Sequence, residues 1–239
     1  MQIIELGKVS NSGVMKVATG FVWDWAFVLK MLPLLLKGAV MTVTLTACAI
    51  TFGTGIGLII AFMKIIKNPV LNFIGGIYTW VFRGIPLLVQ LFIIYYALPM
   101  VLGITLDAFP AAVIGISLCG GAYIAEIIRA GVQSVDKGQM EASMSLGMGY
   151  FQAMRRVIVP QTYRRLIPPM GNEFITLLKD TALVSTITMT ELTRTAQIYS
   201  ASHFKPFEMF LTAGVIYLIL TTFFTVVFGK LETKLAQSE

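Results

Sequence analysis

The sequence predicts an all-α, polytopic membrane protein with five transmembrane helices, and three observations carry that prediction. The 239 residues are 56% hydrophobic and only 13% charged, too little charge to coat a water-soluble domain of this length. The charges are clustered, leaving uncharged runs of 26 residues at 38–63, 23 at 84–106 and 21 at 209–229; about 18–20 apolar residues suffice to cross a hydrocarbon core of roughly 30 Å. Lys and Arg concentrate in alternate connections, as they do when loops alternate between the two sides of a membrane.

Residues 1–25 are mixed and polar and read as a surface or interfacial segment; they lack the continuous apolar run and small-residue site of a cleavable signal peptide. A membrane domain over 26–233 follows, with spans at about 38–63, 85–106, 108–125, 172–190 and 209–229, and then a short tail, 234–239. In the first span, Gly53 and Gly57 have the GxxxG spacing that lets another helix approach closely. This is packing and not phosphate binding, since no Gly-Lys-Ser/Thr triplet occurs. The third span has just 18 uncharged residues, and the fourth is interrupted by Lys179 and Asp180. Cys48 and Cys119 lie inside apolar runs and read as small packing residues, and His203 stands alone, so no His/Cys metal cluster is expected.

Orientation follows from the connections. The first carries Lys64, Lys67 and Arg83 and should be cytoplasmic; the second carries only Asp107 and should be outside. The third holds Arg129, Lys137, Arg155, Arg156, Arg164 and Arg165 and should again be cytoplasmic. Five spans then place the N-terminus outside and the C-terminus in the cytoplasm. Lys30 and Lys37, ahead of the first span, run against this assignment. The net charge of +6 is accounted for by these loops and does not call for nucleic acid.

The third connection, from Glu126 to the start of the fourth span and with its loop at 132–165, is too long to be structureless. Asp136 and Gln139 have capping-box spacing for a helix beginning near Lys137, with Glu141 in an early turn where a negative charge suits the helix dipole. Gly147 can adopt the left-handed conformation that stops it. A second helix is predicted from Tyr150, with Ala153, Met154, Val157 and Ile158 on one apolar stripe, ending at Pro160. Such a hairpin could lie on anionic lipid or dock a cytosolic protein.

Pro168, Pro169 and Gly171 are expected to break the chain ahead of the fourth span. Within it, Glu173, Leu177, Asp180 and Val184 share a helical face, and Thr181, Ser185 and Thr188 line up beside it. Charged groups facing lipid cost about 2.5–3.5 kcal/mol, so these acids should face a bundle interior or water. Two readings stand: pairing with a neighbouring helix, or bordering a path for a polar solute. Glu126 and Arg129 read as an i, i+3 structural pair, and Arg83 as an interfacial anchor.

Glu141-Ala142-Ser143, Gly147 and Val157-x-Val159-Pro160 together resemble the EAA loop of ABC importer permeases, with Ser143 for the second Ala and Val at the Ile and Leu positions. The stretches 83–90 (RGIPLLVQ), 123–131 (YIAEIIRAG) and 178–185 (LKDTALVS) resemble the polar amino-acid branch of that family, the histidine, glutamine and arginine type. The resemblance implies a type I importer fold in a bacterial cell membrane. It also implies a second permease chain, identical or paralogous, two separate ATPase subunits and an extracytoplasmic amino-acid-binding protein. ATP and Mg would then bind the partner, with no cofactor and no enzymatic activity on this chain. Glu141, Ala142, Ser143, Gly147 and Pro160 would couple to the ATPase, and Glu173, Asp180, Thr181, Ser185 and Thr188 would border the substrate path. The rival reading is an ion-gradient-driven secondary transporter or channel, which would call for coupling residues in several helices or an inverted repeat.

Overall fold

The computed structural model describes residues 22–66 and 68–236, and every regular element among them is helical. Most of the predicted polar segment 1–25 lies outside the described residues, as do Lys67 and the end of the tail.

The molecule is built along α1 (Trp25–Ile65), a helix of 41 residues and so roughly 60 Å long. That is about twice a hydrocarbon core, which explains how Lys30 and Lys37 can share a helix with the span 38–63. Asp24 caps α1 by accepting from the Phe27 N–H at 2.9 Å. It also pairs with Lys205 at the foot of α10 (Pro206–Ala236). The Lys205 ammonium, with the Phe27 N–H, holds the Asp24 carboxyl below its ordinary range.

α5 (Ala108–Gln133) runs against α1 through the predicted small-residue contact. A Cβ at Gly57 would lie 2.7 Å from Ile124 Cγ2, and one at Gly53 would lie 3.3 Å from the Ser117 carbonyl oxygen. Gly55, between them, faces open space.

The predicted span 85–106 is the second arm of a bent element. The first arm is a helix where a connection was expected: α2 (Pro69–Gly84), capped by Asn68. The second comprises α3 (Leu87–Phe92), a π-helical turn (Ile93–Ala97) and α4 (Leu98–Leu102), at 100° to the first. The bend has a local cause. Pro86 cannot donate an N–H and drives Ile85 into extended backbone, φ −96° and ψ 130°.

In the third connection, α6 (Lys137–Ser145) begins where expected, with the Asp136 carboxylate accepting from the Gly138 N–H at 2.6 Å. Gln139 does not close the capping box; its Oε1 accepts from Gln161 Nε2 at 3.1 Å and ties α6 to the next long helix. That second helix does not end at Pro160. α7 (Tyr150–Ala153) passes through a π-helical turn (Met154–Ile158) into α8 (Val159–Asp180). Pro160 follows the π-helical turn, in the first turn of α8.

Pro168 and Pro169 do not break the chain either; both lie inside α8. Their missing N–H groups cost two helical hydrogen bonds, but close packing on both sides keeps the helix together. A Cβ at Gly131 of α5 would come within 2.5 Å of Leu166, and one at Gly171 within 2.9 Å of Phe228 of α10.

The break falls later. Residues Thr181–Ile187 form a 3-10 helix, Thr188 takes φ +65°, and α9 (Leu192–His203) climbs back along α1. Its approach is close: a Cβ at Gly38 would lie 2.8 Å from Thr195 Oγ1. α1, α5 and α10 are long and apolar enough to cross a membrane, as is the α2–α4 pair if counted as one bent span. Leu45, Leu91, Ile116 and Leu177 form the core where α1, α3, α5 and α8 meet, while Leu35, Leu192 and Met209 join α1, α9 and α10. Large apolar side chains such as Trp80, Leu218 and Phe223 remain exposed on the outside, as on a surface that meets lipid or another chain.

Candidate functional site

The elbow between α2 and α3 forms one wall of a cavity of about 360 Å³, within the roughly 300–1,000 Å³ range of small-molecule sites. Arg83, Pro86 and Leu87 come from the elbow, Cys119 and Tyr123 from α5, and Glu173, Thr176, Leu177 and Asp180 from α8. The helical register on α8 is responsible for bringing both acids to this wall, since 173, 177 and 180 fall on one α-helical face.

The charges here are unpaired. Glu173 is 9% exposed and Asp180 half-buried, and neither closes an ion pair or accepts a hydrogen bond among the described residues. Arg83 has no carboxylate partner among the described residues; its guanidinium lies over the Tyr123 ring, 5.2 Å from the centroid. Lys179, the neighbour expected to neutralise an acid, is exposed and outside the cavity. The cavity thus gathers one cation and two anions that form no ion pair with one another or with other side chains among the described residues.

The structure does not bring Thr181, Ser185 and Thr188 into this cavity. A 3-10 helix turns by about 120° per residue, so positions that align in an α-helix separate. Thr181 is fully buried and donates to the Leu178 carbonyl at 2.7 Å. Ser185 Oγ accepts from Gln197 Nε2 at 3.4 Å. Thr188 lies 3.3 Å from the Tyr95 hydroxyl, while Tyr96 donates to the Thr186 carbonyl at 3.1 Å.

The charge pair of α5 forms: Arg129 Nη2 lies 2.6 Å from Glu126 Oε2. Lys64 joins it from α1 and donates to Thr79 of α2 at 2.8 Å, so one carboxylate links three helices. Glu191, by contrast, gave no signal in a loop of mixed charge. It is fully buried, caps α9 through the Thr193 and Arg194 N–H groups at 2.9 and 2.7 Å, and accepts from Tyr217 at 2.9 Å and Thr42 at 3.3 Å.

A second surface lies at the other end of α8. Gly147 has φ +81°, and α6 ends in a Schellman motif: Met148 N–H donates to the Ser143 carbonyl at 3.1 Å and Gly147 N–H to Met144 at 2.9 Å. Glu141, Ala142 and Pro160 are exposed; Ser143 is buried and bonds back to the Gln139 carbonyl at 2.6 Å. Leu146 and Phe151 project from this hairpin, 79% and 71% exposed, an apolar edge for a partner.

Comparison with known proteins agrees with this architecture. Residues 53–237 match the family described as binding-protein-dependent transport system inner membrane component. The chain is 40% identical over 216 residues to the probable amino-acid permease protein YxeN of Bacillus subtilis, covering 90% of this chain and 96% of that one. It is 37% identical over 214 residues to the glutamine transport system permease protein GlnP of Escherichia coli, covering 89% and 98%. Among solved structures, an amino acid ABC transporter with histidines superposes with a TM-score of 0.86 at 41% identity, over 90% of this chain and all of that one. The chain belongs to the family of inner-membrane components of binding-protein-dependent transport systems.

Proposed function

We propose that this multi-pass membrane permease imports a polar amino acid, and that the cavity between the elbow and α8 holds it in transit. The observation that carries the reading is the pairing of unpaired opposite charges: Arg83 on one wall, Glu173 and Asp180 on another. Arg83 receives the substrate carboxylate and the two acids receive the ammonium or a cationic side chain. At an effective dielectric of about 20, a charge pair 4 Å apart gains roughly 4 kcal/mol before desolvation. The relatives named for glutamine and arginine transport support an amino acid as cargo. Thr181, Ser185 and Thr188 border the path indirectly, by fixing the broken segment above the acids.

The chain crosses the membrane five times, with α2–α4 as a bent second span and α8–α9 as a broken fourth, the N-terminus outside and the C-terminus in the cytoplasm. It works as a dimer with an identical or paralogous permease. The exposed hairpin around Glu141, Ala142, Gly147, Leu146 and Phe151 docks on one of two ATPase subunits, which bind ATP and Mg, and an extracytoplasmic binding protein delivers the amino acid.

The test is amino-acid-stimulated ATP hydrolysis by the reconstituted complex across cationic, neutral and acidic amino acids. Arg83→Gln should raise the KM for every amino acid. Glu173→Gln and Asp180→Asn should weaken cationic ones most. Unchanged profiles in all three would return these charges to a structural role. Uptake that persists without ATP, with the membrane potential held, would favour an ion-driven carrier.

A further inference from the structure

We infer that Gln90 is a positioning residue that clamps the 100° elbow between α2 and α3 and thereby holds Arg83 at the cavity. The consequence for transport rests on the reading of Arg83 given above; the clamp itself does not.

The chain break at Pro86 leaves carbonyl groups at the end of α2 without helical N–H partners, and each one that is buried unpaired is costly. The helix satisfies one of them itself, through Ile85 N–H to the Val81 carbonyl at 3.0 Å. Gln90 satisfies two more. Its Nε2 donates to the Phe82 carbonyl at 2.9 Å and to the Ile85 carbonyl at 2.7 Å, so one amide nitrogen holds both sides of the turn. The clamped carbonyls bracket Arg83 and Gly84 in the chain. The Phe82 carbonyl also accepts from the Cys119 thiol at 3.6 Å, a bond that Ser at 119 can keep, while a Cβ at Gly84 would meet nothing within 4 Å.

The residue type is specific to the task. Gln90 is 4% exposed, and its Oε1 is buried without a partner. An orphaned buried acceptor is destabilising, so an apolar residue of similar shape would suit the core better unless the two donors were needed. Turning the amide over would set Oε1 against two carbonyl oxygens, so the assignment of the nitrogen follows from its partners. Asn is one methylene too short to reach both carbonyls, Met and Leu carry no donor, and an ionised Glu only accepts.

Two measurements on the intact complex test the inference. Spin labels at positions 80 and 100, on the exposed sites of α2 and α4, report the elbow as a distance distribution, in a background with Cys48→Ala and Cys119→Ser. The distribution should broaden or shift in Gln90→Met; an unchanged one overturns the clamp, whatever transport does. The second measurement is the KM for stimulation of ATP hydrolysis by the most effective of the twenty amino acids and by its α-amide, which lacks the carboxylate. Gln90→Met and Arg83→Gln should each raise the KM for the acid on the order of tenfold, leave that for the amide unchanged, and combine without adding. Additive effects would refute the route through Arg83. A disturbed elbow with an unaltered KM in Arg83→Gln would instead refute the substrate reading of Arg83 and leave the clamp standing. If Gln90→Met does not assemble, Gln90→Glu, of the same shape, is read in the same way.

Discussion

Glu191 is the fully buried carboxylate of the α1–α9–α10 junction, and none of its partners among the described residues is a cation: two backbone N–H groups and two hydroxyls surround it. Its work is structural. It caps a helix that begins in mid-bundle and ties that start to α1 through Thr42 and to α10 through Tyr217. Glu191→Ala would leave two N–H groups without their acceptor and cut the ties to Thr42 and Tyr217, a loss of about 3 kcal/mol. We expect a marked fall in the thermal unfolding temperature of the complex in nanodiscs. Glu191→Gln, which keeps one acceptor oxygen, should lose roughly half as much, and equal losses in the two variants would contradict the capping role. Glu173 and Asp180 differ from Glu191 in having no such partners, which is why they, and not it, are assigned to substrate.

At the scale of elements, the tight helix pair and the hairpin yield separate predictions. The α1–α5 contact depends on which glycines face it: Gly57→Ala would press a Cβ to within 2.7 Å of Ile124, whereas Gly55→Ala meets nothing. The first should destabilise by about 1–3 kcal/mol through overpacking, and the second should be neutral or slightly stabilising. A common effect on unfolding temperature would mean that the helices do not pack through this face. In the hairpin between α6 and α7, Gly147 sits at φ +81°, a region that a β-branched residue enters only at a cost of about 1–2 kcal/mol or more. Gly147→Val should therefore re-aim α6 against α7 and abolish substrate stimulation of ATP hydrolysis while insertion proceeds normally. Glu141→Lys, exposed on the same helix, should do so without altering the turn. Retained coupling in purified Gly147→Val complex would remove the hairpin from the coupling route.

For the whole molecule, the decisive quantity is which end of each helix lies on which side. Asp107 and Ser134 lie at opposite ends of α5, and the Lys/Arg asymmetry predicts the first outside and the second in the cytoplasm. Both residues are exposed. Single cysteines at 107 and 134, in a background without Cys48 and Cys119, should react with impermeant reagents from opposite faces. Reaction of both from one side would overturn the five-span topology.

Much of this was legible in the chain because it depends on local composition. Uncharged runs mark α1, α5 and α10, Asp136 and Gly147 mark the two ends of α6, and Gly53 and Gly57 mark a close helix contact, each through chemistry confined to a few neighbouring residues. The acids Glu173 and Asp180 could be placed on one face because α8 keeps α-helical register that far. The hydroxyls beyond could not, because the helix tightens to 3-10 at Thr181 and rotates them away. Pro160, Pro168 and Pro169 misled for a related reason: a proline states which hydrogen bond is missing, while neighbouring helices decide whether the helix survives its loss. Arg83 and Tyr123 meet the acids only because a 100° elbow folds α2 back beside α5. That encounter, like the burial of Glu191 between Thr42 and Tyr217, joins residues far apart in the chain, and only tertiary packing decides it.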